Sequence, residues 1–188
     1  VTGTASGCPI STATVTVTVN LTPTVTVTPN TIAICQGSFT NLTASGANSY
    51  TWAPGGTLSS TTGALVTAMP TTATSYTVTG TSVNGCTSTA IVNVNVNPLF
   101  MVNTAGVPAT CGNPNSGQAT ATTNGGTAPF TYQWNDPFGQ TTQTASALTP
   151  GTYTVIVTDA NGCSQTQSVT ITSLNTMALN MQYTDPLC

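Results

Sequence analysis

Thr74-Ser75-Tyr76-Thr77-Val78-Thr79-Gly80-Thr81 and Gly151-Thr152-Tyr153-Thr154-Val155-Ile156-Val157-Thr158 are the two stretches that decide the fold of this chain. In each, large apolar or aromatic residues alternate with threonine, a period of two that puts one face in a core and the other in water. Each is followed by Asn-Gly-Cys, at Asn84-Gly85-Cys86 and Asn161-Gly162-Cys163, and then by a second alternating run. Asn-Gly is the strongest short hairpin signal, because both residues accept positive φ. The expected hairpins pair 74–81 with 87–96, and 151–158 with 165–172.

Working outward, the same order recurs. The chain opens with Val1-Thr2-Gly3-Thr4, then Gly7-Cys8, a Thr/Val run containing Val15, Val17 and Val19, and Pro23. A second copy runs from Val78-Thr79-Gly80-Thr81 through Cys86 and the run Ile91–Val96 to Pro98. A third runs from Val155 through Cys163 to Ser168–Thr172. Cys86 and Cys163 lie about 77 positions apart, and a second series, Cys35, Cys111 and Cys188, keeps nearly the same step. Cys35 is followed by Tyr50 and Trp52, Cys111 by Tyr132 and Trp134. A repeat of this size is a small β-sandwich. Two copies are complete, roughly 24–97 and 98–173. Residues 1–23 read as the C-terminal strands of a preceding copy and 174–188 as the first strand of a following one, so the expectation is a window on a longer array.

Threonine makes up roughly a quarter of the chain. With valine it favours pleated strands over helices, and Gly and Pro punctuate too often for long helices. The fold class expected is therefore all-β, a tandem series of immunoglobulin-like sandwiches. Recurrent ordered alternation of Val, Ile, Leu, Tyr and Trp argues against a disordered low-complexity chain. No apolar run reaches the roughly 18 residues of a membrane span. The N-terminus lacks the basic start and apolar stretch of a signal peptide.

The charge content narrows function. Among 188 residues there is no Lys, Arg or His, and the net charge is −3. Its sources are Asp136, Asp159 and Asp185. Phosphate neutralisation needs Lys or Arg, so nucleic acid is excluded as a partner, and basic attraction to anionic lipid is absent. A serine or threonine nucleophile would lack His or Lys beside it, and three scattered Asp residues make no acid–base pair. No enzyme and no cofactor are expected. Calcium sites in sandwich arrays need several carboxylates per ion. Here Asp136 and Asp185 precede Pro and Asp159 opens a hairpin, so all three read as turn residues.

Six cysteines leave connectivity open in general. The repeat suggests one early and one late cysteine per copy, Cys35 with Cys86 and Cys111 with Cys163. Each would close a loop of about 50 residues contributing roughly 4 kcal/mol on the chain-entropy model. Cys8 and Cys188 would then have partners outside the sequence. Metal ligation is the weaker alternative, for want of His and of Cys-x-x-Cys. Disulfides imply an oxidising, extracellular setting.

Trp52 and Trp134, at matched positions, read as the core tryptophans of immunoglobulin-like sandwiches rather than as exposed sugar platforms. Tyr76 and Tyr153, near the start of the penultimate strand, are placed for a tyrosine corner. Phe138, beside Pro137 and Gly139, reads as a loop residue. Asn20-Leu21-Thr22 and Asn41-Leu42-Thr43 fit the Asn-x-Ser/Thr acceptor pattern, making Asn20 and Asn41 candidate glycosylation sites. Outward Thr and Ser hydroxyls are O-glycan candidates, and glycans would supply solubility that charge does not.

The segment Pro129-Phe130-Thr131-Tyr132-Gln133-Trp134, with Leu148-Thr149-Pro150-Gly151-Thr152-Tyr153 through Asp159-Ala160-Asn161-Gly162-Cys163, resembles the SprB-type repeat of very large cell-surface adhesins of the Bacteroidota. That resemblance covers about 98–173. Residues 24–97 resemble the PKD-like, immunoglobulin-like repeat of the same proteins, with Ser75-Tyr76-Thr77-Val78-Thr79-Gly80 in place of Gly-Thr-Tyr-Thr-Val. It implies secretion, by the type IX route, and a place at the cell surface in adhesion or surface structure. The lack of every basic residue departs from ordinary members.

Two readings of function follow. In one, a long chain of sandwiches forms an adhesin or stalk, with neighbouring repeats as its partners and glycans or surface ligands at its reach. In the other, the repeats self-associate laterally into a filament, since low charge removes repulsion and Thr/Val edges can add strands. A carbohydrate-binding module is a third class, short of spare aromatics.

Overall fold

The computed structural model describes residues 2–3, 7 and 11–174. Among them, residues up to Ile32 together with Phe39–Val94 form one compact unit, and Ala33–Ser38 with Asn95 onward form a second. Every described element is a strand. The two units are immunoglobulin-like β-sandwiches.

In the first unit a short hairpin pairs β1 (Thr2–Gly3) with β2 (Ser11–Thr12). One sheet follows the order β3-β5-β7, built from Thr26–Thr28, Thr40–Ser45 and Leu65–Ala68. The other follows β4-β9-β8-β6, from Thr31–Cys35, Thr87–Asn97, Thr74–Thr81 and Ser49–Ala53, with the ends of β4 from Ala33 and of β9 from Asn95 counted in the second unit. Alternation becomes burial directly: Tyr76, Val78, Val92 and Val94 are buried, as are Leu42, Ala44, Val66 and Ala68 from the facing sheet. Each fully buried aliphatic or aromatic side chain contributes about 1.5–3 kcal/mol.

The second unit repeats the plan. Its sheets are β10-β12-β14 (Met101–Val107, Gly117–Asn124, Thr144–Leu148) and β13-β15-β16 (Thr131–Trp134, Gly151–Thr158, Ser164–Ile171). A short parallel pair joins β11 (Ala109–Thr110) to β17 (Ser173–Leu174). Its core gathers Val102, Ala119, Ala121, Trp134, Leu148, Val155, Val157 and Ile171. Strand β14 carries one extra residue against β12, where the register shifts between Gly117 and Ala119. Ala147, at φ 55°, takes the left-handed turn there.

The hairpins expected at 74–81/87–96 and 151–158/165–172 are β8–β9 and β15–β16, antiparallel throughout. Their turns differ from the two-residue type that Asn-Gly suggests. Only Gly85 and Gly162 take positive φ, at 81° and 79°, and the loop closes one residue outside them, by Ser82 N–H to Cys86 O (2.8 Å) and Asp159 N–H to Cys163 O (2.9 Å). The extra loop residues let the cysteine sit at the mouth of the hairpin.

The expected strand through Val15, Val17 and Val19 is corrected. Residues 13–25 form no strand, and these valines are 80%, 80% and 81% exposed, with Leu21 at 86%. The alternation records a demand for a buried face, but a strand also needs a partner for its backbone groups, and no described strand supplies one.

Candidate functional site: cysteine corners and aromatic cores

The turn sequence Asp159-Ala160-Asn161-Gly162-Cys163 is locked by its first residue. The Asp159 carboxylate accepts hydrogen bonds from the N–H groups of Asn161 and Cys163 (both 2.9 Å) and of Thr127 (3.1 Å). At the first corner Ser82 holds the same place, its hydroxyl accepting from Cys86 N–H at 3.1 Å. Both loops also close with the glycine N–H donating to the first residue's carbonyl at 3.0 Å. The two corners are thus one device built twice, with a charged acceptor in one copy and a neutral one in the other.

What the two cysteines do differs. Cys163 is buried and bonded to Cys35, with a Cα–Cα separation of 5.6 Å across 128 residues of sequence. This overturns the expected pairs Cys35–Cys86 and Cys111–Cys163. A period identifies equivalent positions but does not say which copy's early cysteine meets which late one. Residues 33–38 leave the first unit and lie in the second, where Gln36 N–H donates to Asn97 O at 2.9 Å. Cys35 therefore meets the β15–β16 hairpin within the second unit. Cys86 is a half-buried free thiol, its Sγ 3.8 Å from Asn20 O. Cys111 is exposed. Cys8, Cys188 and Asp185 lie outside the described residues.

Trp52 and Trp134 are buried, with indole N–H groups donating to Gly63 O (2.9 Å) and Thr142 O (3.0 Å). Each thus fills a core and satisfies its one polar atom, as a buried tryptophan must. Tyr153 makes a tyrosine corner, its hydroxyl donating to Thr149 O four residues upstream at 3.0 Å. Tyr76 is equally buried but meets the Thr57 hydroxyl at 2.5 Å instead. Asn20 and Asn41 are both exposed, and the Asn41 amide oxygen accepts from Thr67 Oγ1 at 2.9 Å.

Asp136 organises a loop. Its carboxylate accepts from the N–H groups of Phe138 (3.1 Å) and Gln140 (2.8 Å) and from the Gln140 side chain (3.0 Å). Burial alone would raise its pKa. The Gln140 side-chain bond, then the backbone bonds from Gln140, Phe138 and its own N–H, outweigh that and leave it lowered. Gln140 reaches on to both the N–H and the carbonyl of Ser146, at 3.0 and 2.9 Å, and so pins the bulge of β14. Sequence reading missed Gln140; an amide four residues after an Asp-Pro turn was its only signal. Phe138 stands in solvent beside this loop.

Residues 103–138 match the family model described as SprB repeat. Among solved structures, the N-terminal eight Ig domains of Down Syndrome Cell Adhesion Molecule are similar at 15% identity and a TM-score of 0.55, over 79% of this chain and 24% of that one. The C-terminal 282-residue fragment of intimin, in complex with the intimin-binding domain of its translocated receptor, is similar at 16% identity and a TM-score of 0.50, over 81% of this chain and 64% of that one. The chain therefore spans less than two thirds of either structure. These likenesses establish the immunoglobulin-like sandwich. No curated protein matches the sequence.

The sequence carries no His, Lys or Arg. Among the described residues no three of His, Cys, Asp or Glu come together as a metal site, and no helix is long and apolar enough to cross a membrane.

Proposed function

We propose that this chain is the structural or adhesive repeat region of a long secreted bacterial protein, working outside the cell at its surface. The observation that carries the reading is the succession of two sandwiches of one plan at a step of about 77 residues, one of them overlapping the SprB repeat match. Sandwiches in series hold length and bear tension, and the Cys35–Cys163 bond limits how far a loaded repeat can unravel. The repeats are taken as 24–97 and 98–173, with 1–23 and 174–188 belonging to neighbours. Glycans on exposed Asn20 and Asn41 and on outward threonines keep a nearly uncharged surface soluble.

The deciding experiment is the mass of the native polypeptide after denaturation, reduction and deglycosylation. A mass several-fold above the 18.9 kDa of this sequence is expected; a mass near 18.9 kDa would overturn the reading.

A second reading is a self-assembling filament, favoured by the unpaired alternating stretch that exposes Val15, Val17, Val19 and Leu21. Such a stretch is a template for strand addition by another chain. Sedimentation of the purified protein tests it: Val17→Asp would abolish assembly in a filament and leave a stalk protein monomeric as before.

A further inference from the structure

We infer that Cys86 and the unpaired stretch 13–21 form one attachment site, whose occupant is a cysteine-ended strand of the preceding repeat in the same polypeptide, and that the array is sewn together by disulfides that each skip forward one repeat. The inference rests on the tandem-array reading and deepens it.

The second corner shows the completed arrangement. Strand β4, Thr31–Cys35, lies next to β9 in its sheet. Its last residue is bonded to Cys163, and the following N–H, of Gln36, donates to Asn97 at the end of β9. The first corner shows the same parts with the occupant missing. Cys86 sits in a loop with the hydrogen bonds of the Cys163 loop, and its Sγ is a free thiol. Asn20 contacts that sulfur through its carbonyl oxygen at 3.8 Å. Upstream of Asn20, the stretch 13–19 follows Gly7-Cys8 as β9 follows Gly85-Cys86. It keeps the alternation of β9 but no described strand lies beside it, and its valines are exposed. An exposed alternating stretch and a free thiol are independent observations. Both are answered by one segment of the Thr31–Cys35 kind, laid along 13–20 with its cysteine at Cys86.

The chemistry balances as an ordinary dithiol oxidation. Cys86 Sγ–H and the incoming thiol lose two protons and two electrons, and one S–S bond forms. The electrons reduce the disulfide of a thiol–disulfide oxidoreductase, which leaves as a dithiol. The partner cysteine lies about 128 residues before Cys86, the span between Cys35 and Cys163. Successive loops of that length overlap, so tension on the array would run through sulfur past any one sandwich that unfolds.

The test uses the native full-length protein, with free thiols alkylated during denaturation before any reduction. Digestion with pepsin, since no Lys or Arg is present for trypsin, and mass spectrometry then read the linked peptides. The expected result is unalkylated Cys86 joined to a cysteine of the preceding repeat of the same chain, beside the Cys35–Cys163 peptide. Alkylated Cys86, or Cys86 joined to Cys8, Cys35 or Cys111, overturns the inference. So does a bond to a separate chain, seen as a covalent multimer that reduction dissolves. The reduced mass keeps the two failures apart. A large mass with alkylated Cys86 leaves the tandem array standing and removes only the sewing, whereas a mass near 18.9 kDa removes the array itself.

Discussion

The two sandwiches share a plan and differ in how their corners are held. The order β3-β5-β7 over β6-β8-β9 in the first matches β10-β12-β14 over β13-β15-β16 in the second. The second corner combines a buried carboxylate, three N–H donors and a disulfide. The first has a serine hydroxyl and a thiol. The alternation of Val, Tyr and Thr is enough to specify the sandwich, since it is common to both. The corner is a separate layer, which fixes how a sandwich is tied to the chain around it.

The largest way to break the comparison is to cut the tie. On the chain-entropy model, closing 128 residues stabilises by about 5 kcal/mol. Reduction, or Cys163→Ser, is expected to lower the melting of the second sandwich sharply and leave the first unchanged, read by hydrogen exchange on each. Equal loss in both, or in neither, would remove the distinction. Core truncation should not discriminate: Trp52→Ala and Trp134→Ala are each expected to cost about 3–5 kcal/mol in their own sandwich, measured by denaturant titration.

Removing the carboxylate tests the corner itself. Asp159→Ala strips three N–H groups of a charged acceptor and is expected to cost about 2–3 kcal/mol, against about 1 kcal/mol for Ser82→Ala at the matching place. Acid should separate the units further, because none of the three Asp residues lies in the first. Asp136 has a folded pKa below its ordinary 3.8. Its contribution is therefore present above that value and is lost as pH falls through the folded pKa. Thermal melts from pH 6 to pH 2 should show the second sandwich weakening below about pH 4 and the first holding constant. The smallest expected effect is at the tyrosines. Tyr153→Phe loses the corner hydrogen bond to Thr149 for about 1 kcal/mol, and Tyr76→Phe loses its bond to Thr57 for a similar amount.

Much of the fold was legible because it depends on local pattern. The pairs Tyr76/Val78 and Tyr153/Val155/Val157 announced buried faces, and Asn-Gly-Cys placed both hairpins. The matched tryptophans were found by period alone. The corner loops were legible in position but not in type, since only the glycine takes positive φ. Gln140 was invisible, because an amide that bridges Asp136 to Ser146 has no spacing that sets it apart from any surface glutamine.

By itself the sequence determined the all-β class and the repeat, because alternation and periodicity are properties of the chain read in order. Only the tertiary structure decided which cysteines meet. Equivalent cysteines in successive repeats are chemically identical, so a choice among them belongs to the path of the backbone. Residues 33–38 follow that path into the second unit and bring Cys35 to Cys163 rather than to Cys86. The same holds for Val15, Val17 and Val19: their pattern asks for a buried face, and whether one exists depends on a partner strand that no local pattern supplies.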